Sequence, residues 1–289
     1  NNAYTNVMAA WVLRRAQEAL DIIPQFRRNE LTEKLHIDRE ELAQWDEISH
    51  KLRVAFHDDG IISQFEGYGD LEEFDWVGYA ERYGDIQRLD RILEAEGDSP
   101  NCYKLSKQAD VLMLFYLLSA DELISIFEQL GYELDREAIQ RNIDYYDKRT
   151  SHGSTLSRIV NAWVLARSDR KRSWEFFEGA LLSDVTDIQG GTTPEGIHLG
   201  AMAGTVDLVQ RGFTGMETRE DTLWLDPVIP DELGELRFEI WYRDLLLEFH
   251  ITPQQLTVTT PPSDAPPVRL GIRDQMIELP AGNTQIVAL

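Results

Sequence analysis

The chain has 289 residues, 43% of them hydrophobic and 27% charged, with only 11 prolines. That composition is far from the disordered and collagen-like extremes, and a chain this long can bury about three quarters of its unfolded surface without a metal or disulfide staple. The 28 basic against 51 acidic residues leave a formal charge of −23, which argues against nucleic acid and anionic lipid surfaces as partners.

Cys102 stands alone, so neither an internal disulfide nor a multi-cysteine zinc site can form, and a reducing, cytoplasmic compartment is the simpler expectation. The run Val111–Leu118 is apolar but far shorter than the roughly 20 residues a bilayer crossing needs. The chain opens on Asn1-Asn2 rather than methionine, with a helical pattern under way by Ala9. It is expected to be the downstream part of a longer protein.

Apolar residues recur at three- and four-residue steps over Asn6–Leu20, Arg39–Ala55, Lys107–Gln129, Arg136–Asp147 and Leu156–Ala166, and again over Lys171–Leu182 and Gly196–Arg211. These spacings predict amphipathic helices joined by short polar loops, an array of unlike helical hairpins with no common repeat period. From Trp224 the texture changes. Strand-like stretches follow at Leu236–Tyr242, Leu245–Ile251, Gln255–Thr260, Val268–Ile272, Gln275–Leu279 and Thr284–Ala288, bounded by Pro261-Pro262, Pro266-Pro267 and the turn Ala281-Gly282-Asn283. The expected division is a helical domain over residues 1–222 and a small antiparallel β domain over residues 223–289.

The segment richest in chemistry is Thr150-Ser151-His152-Gly153-Ser154-Thr155-Leu156-Ser157, where hydroxyls, a histidine and a glycine precede a helix. Hydroxyls, free N–H groups and the positive end of the helix dipole are what an oxyanion such as phosphate requires, although an ordinary N-cap has the same composition. Gln189-Gly190-Gly191-Thr192-Thr193-Pro194-Glu195-Gly196-Ile197-His198 repeats that chemistry ahead of a second helix. Lys107-Gln108-Ala109-Asp110 offers a cation, an amide and a carboxylate, a donor and acceptor mix suited to a sugar. Ser63-Gln64-Phe65-Glu66-Gly67-Tyr68 adds aromatic rings beside polar groups, either a cleft lining or rings filling the core. Neither glycine-bearing loop has Walker or Rossmann spacing, and there is no G-x-S-x-G. The six histidines are scattered without metal-ligand spacing, and His57-Asp58-Asp59 is expected to be a solvated turn. No metal or cofactor is expected.

Asn1-Asn2-Ala3-Tyr4-Thr5-Asn6, Lys107-Gln108-Ala109-Asp110, Ser151-His152-Gly153-Ser154-Thr155-Leu156-Ser157 and the long run Gly191–Thr205 resemble, in order, the motifs of glycoside hydrolase family 65, which holds maltose, trehalose, kojibiose and nigerose phosphorylases. The resemblance implies a mainly α fold, the second half of an (α/α)6 barrel followed by a small antiparallel β domain. It implies inverting phosphorolysis of an α-linked glucose disaccharide, maltose-like, by inorganic phosphate, giving β-glucose 1-phosphate and a free sugar. By the same resemblance Lys107 and Gln108 would hold the transferred glucose, and Ser151, His152, Ser154 and Thr155 with Gly191 and Thr192 would cradle phosphate as co-substrate. The family's general acid is a glutamate just upstream of the Asn-Ala-Tyr-Thr-Asn stretch, so no catalytic acid is assigned in this chain. The upstream half of the same enzyme is then an expected partner, the chain alone is expected to show no turnover, and a homodimer is the assembly the family suggests. Two other readings stand beside this one: an inverting hydrolase of trehalase or kojibiose-hydrolase type, which would need a carboxylate base that Thr150–Arg158 does not contain, and a non-catalytic sugar-binding helical module.

Overall fold

The computed structural model describes residues 1–186 and 196–289. It divides into two compact units, Asn1–Val160 and Asn161–Leu289.

The first unit is helical. Helix α1 (Ala3–Ile22) opens with the Asn2 side chain accepting from the Thr5 N–H at 2.9 Å, which satisfies one of the free donors of its first turn. It buries Val7 and Ala10 and packs against α3 (Arg39–Ser49) and α6 (Asp110–Leu117). Between α1 and α3 lies α2 (Gln25–Leu35), which buries no residue and carries no apolar stripe, so periodicity could not announce it. Helix α3 is shorter than the Arg39–Ala55 pattern: it ends at Ser49, and the chain runs on into a small hairpin of β1 (Phe56–His57) and β2 (Ile61–Ile62). Two short helices, α4 (Trp76–Tyr83) and α5 (Leu89–Glu96), surround the buried Phe74, Leu89 and Leu93.

The continuous helix expected over Lys107–Gln129 is two helices. Leu118 is extended and ends α6, and the Ser119 side chain then accepts from the Glu122 N–H at 3.2 Å to start α7 (Ala120–Gln129). The apolar period runs through the break because buried residues continue across it, from Leu114 through Leu118 to Leu123 and Ile126, while Ser119-Ala120-Asp121-Glu122 carries the capping signal that marks it. Helix α8 (Arg136–Asp147) packs on α6 and on β2. Its fully buried Asn142 accepts from the Ile62 N–H at 2.8 Å through Oδ1, and its Nδ2 donates to the Ala138 carbonyl at 2.8 Å and the Gly60 carbonyl at 3.3 Å. The Tyr146 hydroxyl donates to the Ile62 carbonyl. One helix thereby satisfies both backbone groups of Ile62 in β2 and the carbonyl of Gly60 in the turn, groups that would otherwise be buried unpaired. Helix α9 (Thr155–Leu165) carries the chain into the second unit.

There, α10 (Arg170–Leu181), the single turn α11 (Ser183–Thr186) and α12 (Leu199–Asp207) precede a π-helical turn over Leu208–Gly212 and then strands. Phe177, Leu208 and Phe213 close a small helical core with Ala162 and Ala166. The strands form two four-stranded sheets. The first has the order β10-β7-β6-β5, all antiparallel, from β5 (Leu236–Tyr242), β6 (Leu245–Ile251), β7 (Gln255–Thr259) and β10 (Thr284–Ala288). The second has the order β3-β4-β8-β9, from β3 (Glu217–Arg219), β4 (Thr222–Leu225), β8 (Val268–Ile272) and β9 (Gln275–Leu279). Leu247, Ile251, Leu256 and Val258 of the first sheet and Leu270 and Ile272 of the second are fully enclosed in one core. In β6 buried residues alternate with more accessible ones, the period of a half-buried strand.

The β domain is not purely antiparallel. Strand β4 pairs with β8 in parallel, Trp224 opposite Gly271. The indole lies over that glycine: a Cβ on Gly271 would meet the Trp224 ring at 2.4 Å. Both β3 and β4 lie outside the six strands the sequence predicts, because Leu223-Trp224-Leu225 ends in Asp226-Pro227 and reads as a lead-in rather than an element.

Candidate functional site

Three short backbone bridges assemble the site in the first unit from four remote segments. Asn2 bridges Phe65, with the Ala3 N–H donating to the Gln64 carbonyl and the Glu66 N–H to the Asn1 carbonyl, each at 2.9 Å. Glu72 bridges Tyr103. Ser106 bridges Thr150, its N–H donating to the Arg149 carbonyl and its carbonyl accepting from the Ser151 N–H, again at 2.9 Å. Side chains tie the same segments: Asn2 Nδ2 donates to Asp110 Oδ2 at 3.0 Å, and the Asp110 N–H donates to Gln64 Oε1 at 2.9 Å. Residues 1–3, 64–66, 106–110 and 149–155 are therefore one cluster.

Lys107 and Gln108 stand ahead of α6 in a bend, not in the first helical turn, since the helix begins at Asp110. That places them beside the hydroxyl loop. Gly153 lies so close that a Cβ there would be 2.3 Å from the Gln87 carbonyl oxygen and 3.3 Å from Lys107 Cγ. The Ser154 hydroxyl points to Gln108 Oε1 at 3.4 Å. His152 takes a left-handed backbone conformation, φ 54°, unusual for a residue with a Cβ, and its Nδ1 lies 3.0 Å from the buried Ser157 hydroxyl. Of the loop's hydroxyls, Thr150 donates to the Tyr146 carbonyl at 2.7 Å and Ser157 is engaged by His152. Ser154 is met by Gln108, and the buried Ser151 and Thr155 complete the hydroxyl set around the start of α9. The structure thus brings Lys107, Gln108, Ser151, His152, Ser154 and Thr155 together. Gly191 and Thr192 lie outside the described residues.

Positive charge near the loop is organised through residues 85–90. Arg88 makes two hydrogen bonds to Asp90, at 3.0 and 2.9 Å, and this guanidinium holds the Asp90 carboxyl below its usual range despite partial burial. Lys107 Nζ approaches the same carboxylate at 3.9 Å and stays half-exposed. Gln87, which sequence alone gave no reason to single out, contacts Gly153 through its carbonyl and accepts from Arg158 Nη2 through Oε1 at 3.1 Å.

His57 departs from the expected solvated turn. Its side chain is 9% exposed, with Nδ1 at 2.8 Å from the Ser63 hydroxyl and Nε2 at 3.0 Å from the Tyr145 hydroxyl, and Tyr145 carries the Arg149 guanidinium 3.8 Å above its ring. Asp58, with φ 46°, and Asp59 do form an exposed turn. Burial pushes the imidazole pKa down, Lys104 and Arg149 push the same way, and Asp58 and Glu73 oppose. The folded pKa is therefore below the ordinary value, so the unfolded chain binds this proton first as pH falls. The His57 contribution to stability is whole above the ordinary imidazole pKa of about 6.5 and is lost as pH drops through it toward the folded pKa. His57→Gln is expected to shrink the loss of stability between about pH 7.5 and about pH 5.5, measured by denaturant midpoints. An equal acid loss in both proteins would refute this.

In the second unit His198 precedes α12. Its Nδ1 lies 2.5 Å from Asp184 Oδ1 and its backbone N–H donates to Oδ2 at 2.9 Å. The histidine holds the Asp184 carboxyl below the ordinary carboxylate range. Among the described residues no group of three or more His, Cys, Asp or Glu could hold a metal ion, and no helix is long and apolar enough to cross a membrane.

Two family models match the chain: the glycosyl hydrolase family 65 central catalytic domain over residues 1–207 and the family's C-terminal domain over residues 216–279. The chain belongs to glycosyl hydrolase family 65. It is 54% identical over 284 residues to an uncharacterized glycosyl hydrolase of Mycobacterium tuberculosis (strain H37Rv), covering 98% of this chain and 21% of that protein. It is 38% identical over 261 residues to the trehalose 6-phosphate phosphorylase of Lactococcus lactis, 90% of this chain and 32% of the relative. A kojibiose phosphorylase of Thermoanaerobacter brockii is 30% identical over 264 residues, 89% of this chain and 32% of the relative. A solved structure assigned as a kojibiose phosphorylase from the human microbiome superimposes with a TM-score of 0.75 at 20% identity, covering all of this chain and 37% of that one, and it supports the fold. The chain thus spans between a fifth and a third of the length of these family 65 relatives.

Proposed function

We propose that this family 65 chain is the phosphate-binding and glucose-binding portion of a disaccharide phosphorylase. The observation that carries the reading is the joining of the Ser151–Thr155 loop to Lys107 and Gln108 by the Ser106–Thr150 bridge. An anion-adapted helix entry and a sugar-adapted pair of side chains stand side by side there, and no carboxylate occurs from Thr150 to Arg158. An inverting hydrolase needs a carboxylate base to activate water. A phosphorylase needs phosphate in that place, and phosphate needs hydroxyls, N–H groups and positive charge.

In the reaction proposed, a phosphate oxygen attacks the anomeric carbon of an α-glucoside, the glycosidic C–O bond breaks, and the departing sugar oxygen takes a proton from a carboxylic acid. The products are β-glucose 1-phosphate and a free sugar. Ser151, His152, Ser154 and Thr155 orient the phosphate, and Lys107 and Gln108 position the glucose. No residue described here is assigned as the acid. In the same reading the helices belong to a helical barrel and the strands from Glu217 onward to the β domain, a division that falls where the two family matches meet, between residues 207 and 216, rather than at the expected 222. The test is the release of β-glucose 1-phosphate from α-linked glucose disaccharides, the trehalose and maltose types with and without a 6-phosphate, by protein containing this sequence. Release that requires inorganic phosphate is the expected result. Free glucose at the same rate without phosphate would overturn it in favour of hydrolysis.

A further inference from the structure

Arg158 sits on the first turns of α9, just beyond the Ser154-Thr155 entry, with its guanidinium partly buried. Its Nε is fully enclosed and, among the described residues, has no hydrogen-bond partner. Nη2 donates to the neutral Gln87 amide oxygen at 3.1 Å. No carboxylate of the described residues forms an ion pair with it, although acids outnumber bases 51 to 28 across the chain. Elsewhere near the loop the guanidinium groups are paired, Arg88 with Asp90 and Arg149 with Glu73. The Ser106 hydroxyl, at the bridge to Thr150, is likewise enclosed with no partner among the described residues.

A half-buried guanidinium with an unmet donor and no carboxylate in ion-pair contact is expensive, and an anionic ligand that met the donor would offset that cost. Burial lowers its pKa while Asp85 acts in the other direction, and the group stays cationic because an arginine ordinarily titrates far above neutrality. Its position ties it to the loop. Gln87 touches Gly153 through its carbonyl and holds Arg158 through its side chain, so one residue spans the hydroxyl loop and the cation. A planar fork of N–H donors suits tetrahedral phosphate oxygens better than a lysine does.

We propose that Arg158 is a phosphate-binding residue of this site, pairing with a phosphate dianion carried by inorganic phosphate or by a phosphorylated sugar. It rests on the phosphate reading proposed above. The two sources share one chemistry and separate experimentally.

The chain and its Arg158→Gln and Arg158→Lys variants are titrated with inorganic phosphate, with glucose 6-phosphate and with glucose, following binding by calorimetry and the guanidinium N–H signals of Arg158 by NMR. The wild type is expected to bind a dianion with movement of the Arg158 signals. Arg158→Gln should weaken that binding by about 10- to 100-fold, the range of a charge-assisted pair, and Arg158→Lys should recover part of it. A loss in the inorganic phosphate arm assigns the residue to the co-substrate. A loss confined to glucose 6-phosphate assigns it to a sugar ester. Should Arg158→Gln fail to fold, the wild-type guanidinium signals and Arg158→Lys still decide. Dianion binding that shifts His152 and Ser154 but leaves Arg158 silent, or a Gln variant as tight as the wild type, overturns the role of Arg158 alone. No dianion binding by the wild type removes the phosphate reading and this proposal with it.

Discussion

Gly153→Ala is expected to lower stability by about 1–3 kcal/mol, the usual cost of forcing an atom into a filled site, and to weaken phosphate binding with it. The added Cβ would stand 2.3 Å from the Gln87 carbonyl oxygen, a backbone atom that cannot swing aside as a side chain can, and 3.3 Å from Lys107 Cγ. Either the loop withdraws from residues 85–90 or that segment does. In both cases Gln87 no longer spans the loop and Arg158, and Lys107 is displaced from the hydroxyls. The measurements are a denaturant midpoint and a phosphate titration on the same preparation. Unchanged values in both would show that Gly153 is not the close contact described here. Loss of stability with intact binding would show that the loop and the Gln87 segment are coupled for packing only.

Asn142→Ala is expected to cost more, about 2–4 kcal/mol, because it leaves the Ile62 N–H with no acceptor in a dry interior while opening a small void. Asn142 is 0% exposed and serves Ile62, Gly60 and Ala138 at once. The hairpin it fixes leads directly into Ser63, which holds the His57 ring, and Gln64, which receives the Asp110 N–H. Hydrogen exchange should show the Ile62 amide opening much faster in the variant, with a lower denaturant midpoint. Exchange at Ile62 as slow as in the wild type would contradict the assignment of Asn142 as its acceptor.

These two positions show what could be read from sequence and what could not. Lys107-Gln108 and Ser151–Thr155 announce themselves by residue type, and the resemblance to family 65 gathers them. Nothing in spacing shows how segments some forty residues apart meet, because the connection is one pair of backbone hydrogen bonds at Ser106 that any side chains would permit. Gln87 reaches Gly153, and Arg158 reaches Gln87, through placement, and a lone amide and a helix arginine have no local signature. Long amphipathic helices such as α8 and the strands β5 to β10 are legible because burial imposes a period on them. Helix α2 escapes because nothing in it is buried, and β4 because a four-residue strand followed by Asp226-Pro227 resembles a loop. The break between α6 and α7 escapes periodicity yet leaves its mark in the cap at Ser119.

The parallel pairing of β4 with β8 also constrains the order in which the β domain can form. Residues 222–225 leave the ribosome well before residues 268–272, and the antiparallel meander β5-β6-β7, made of near neighbours, can close in the interval. Until β8 arrives, the indole of Trp224 has no glycine beneath it. Once it does, a slip of one residue would set Leu270 or Ile272 under the ring in place of Gly271, so this aromatic–glycine couple acts as a latch on the strand pairing that spans the most sequence in the β domain.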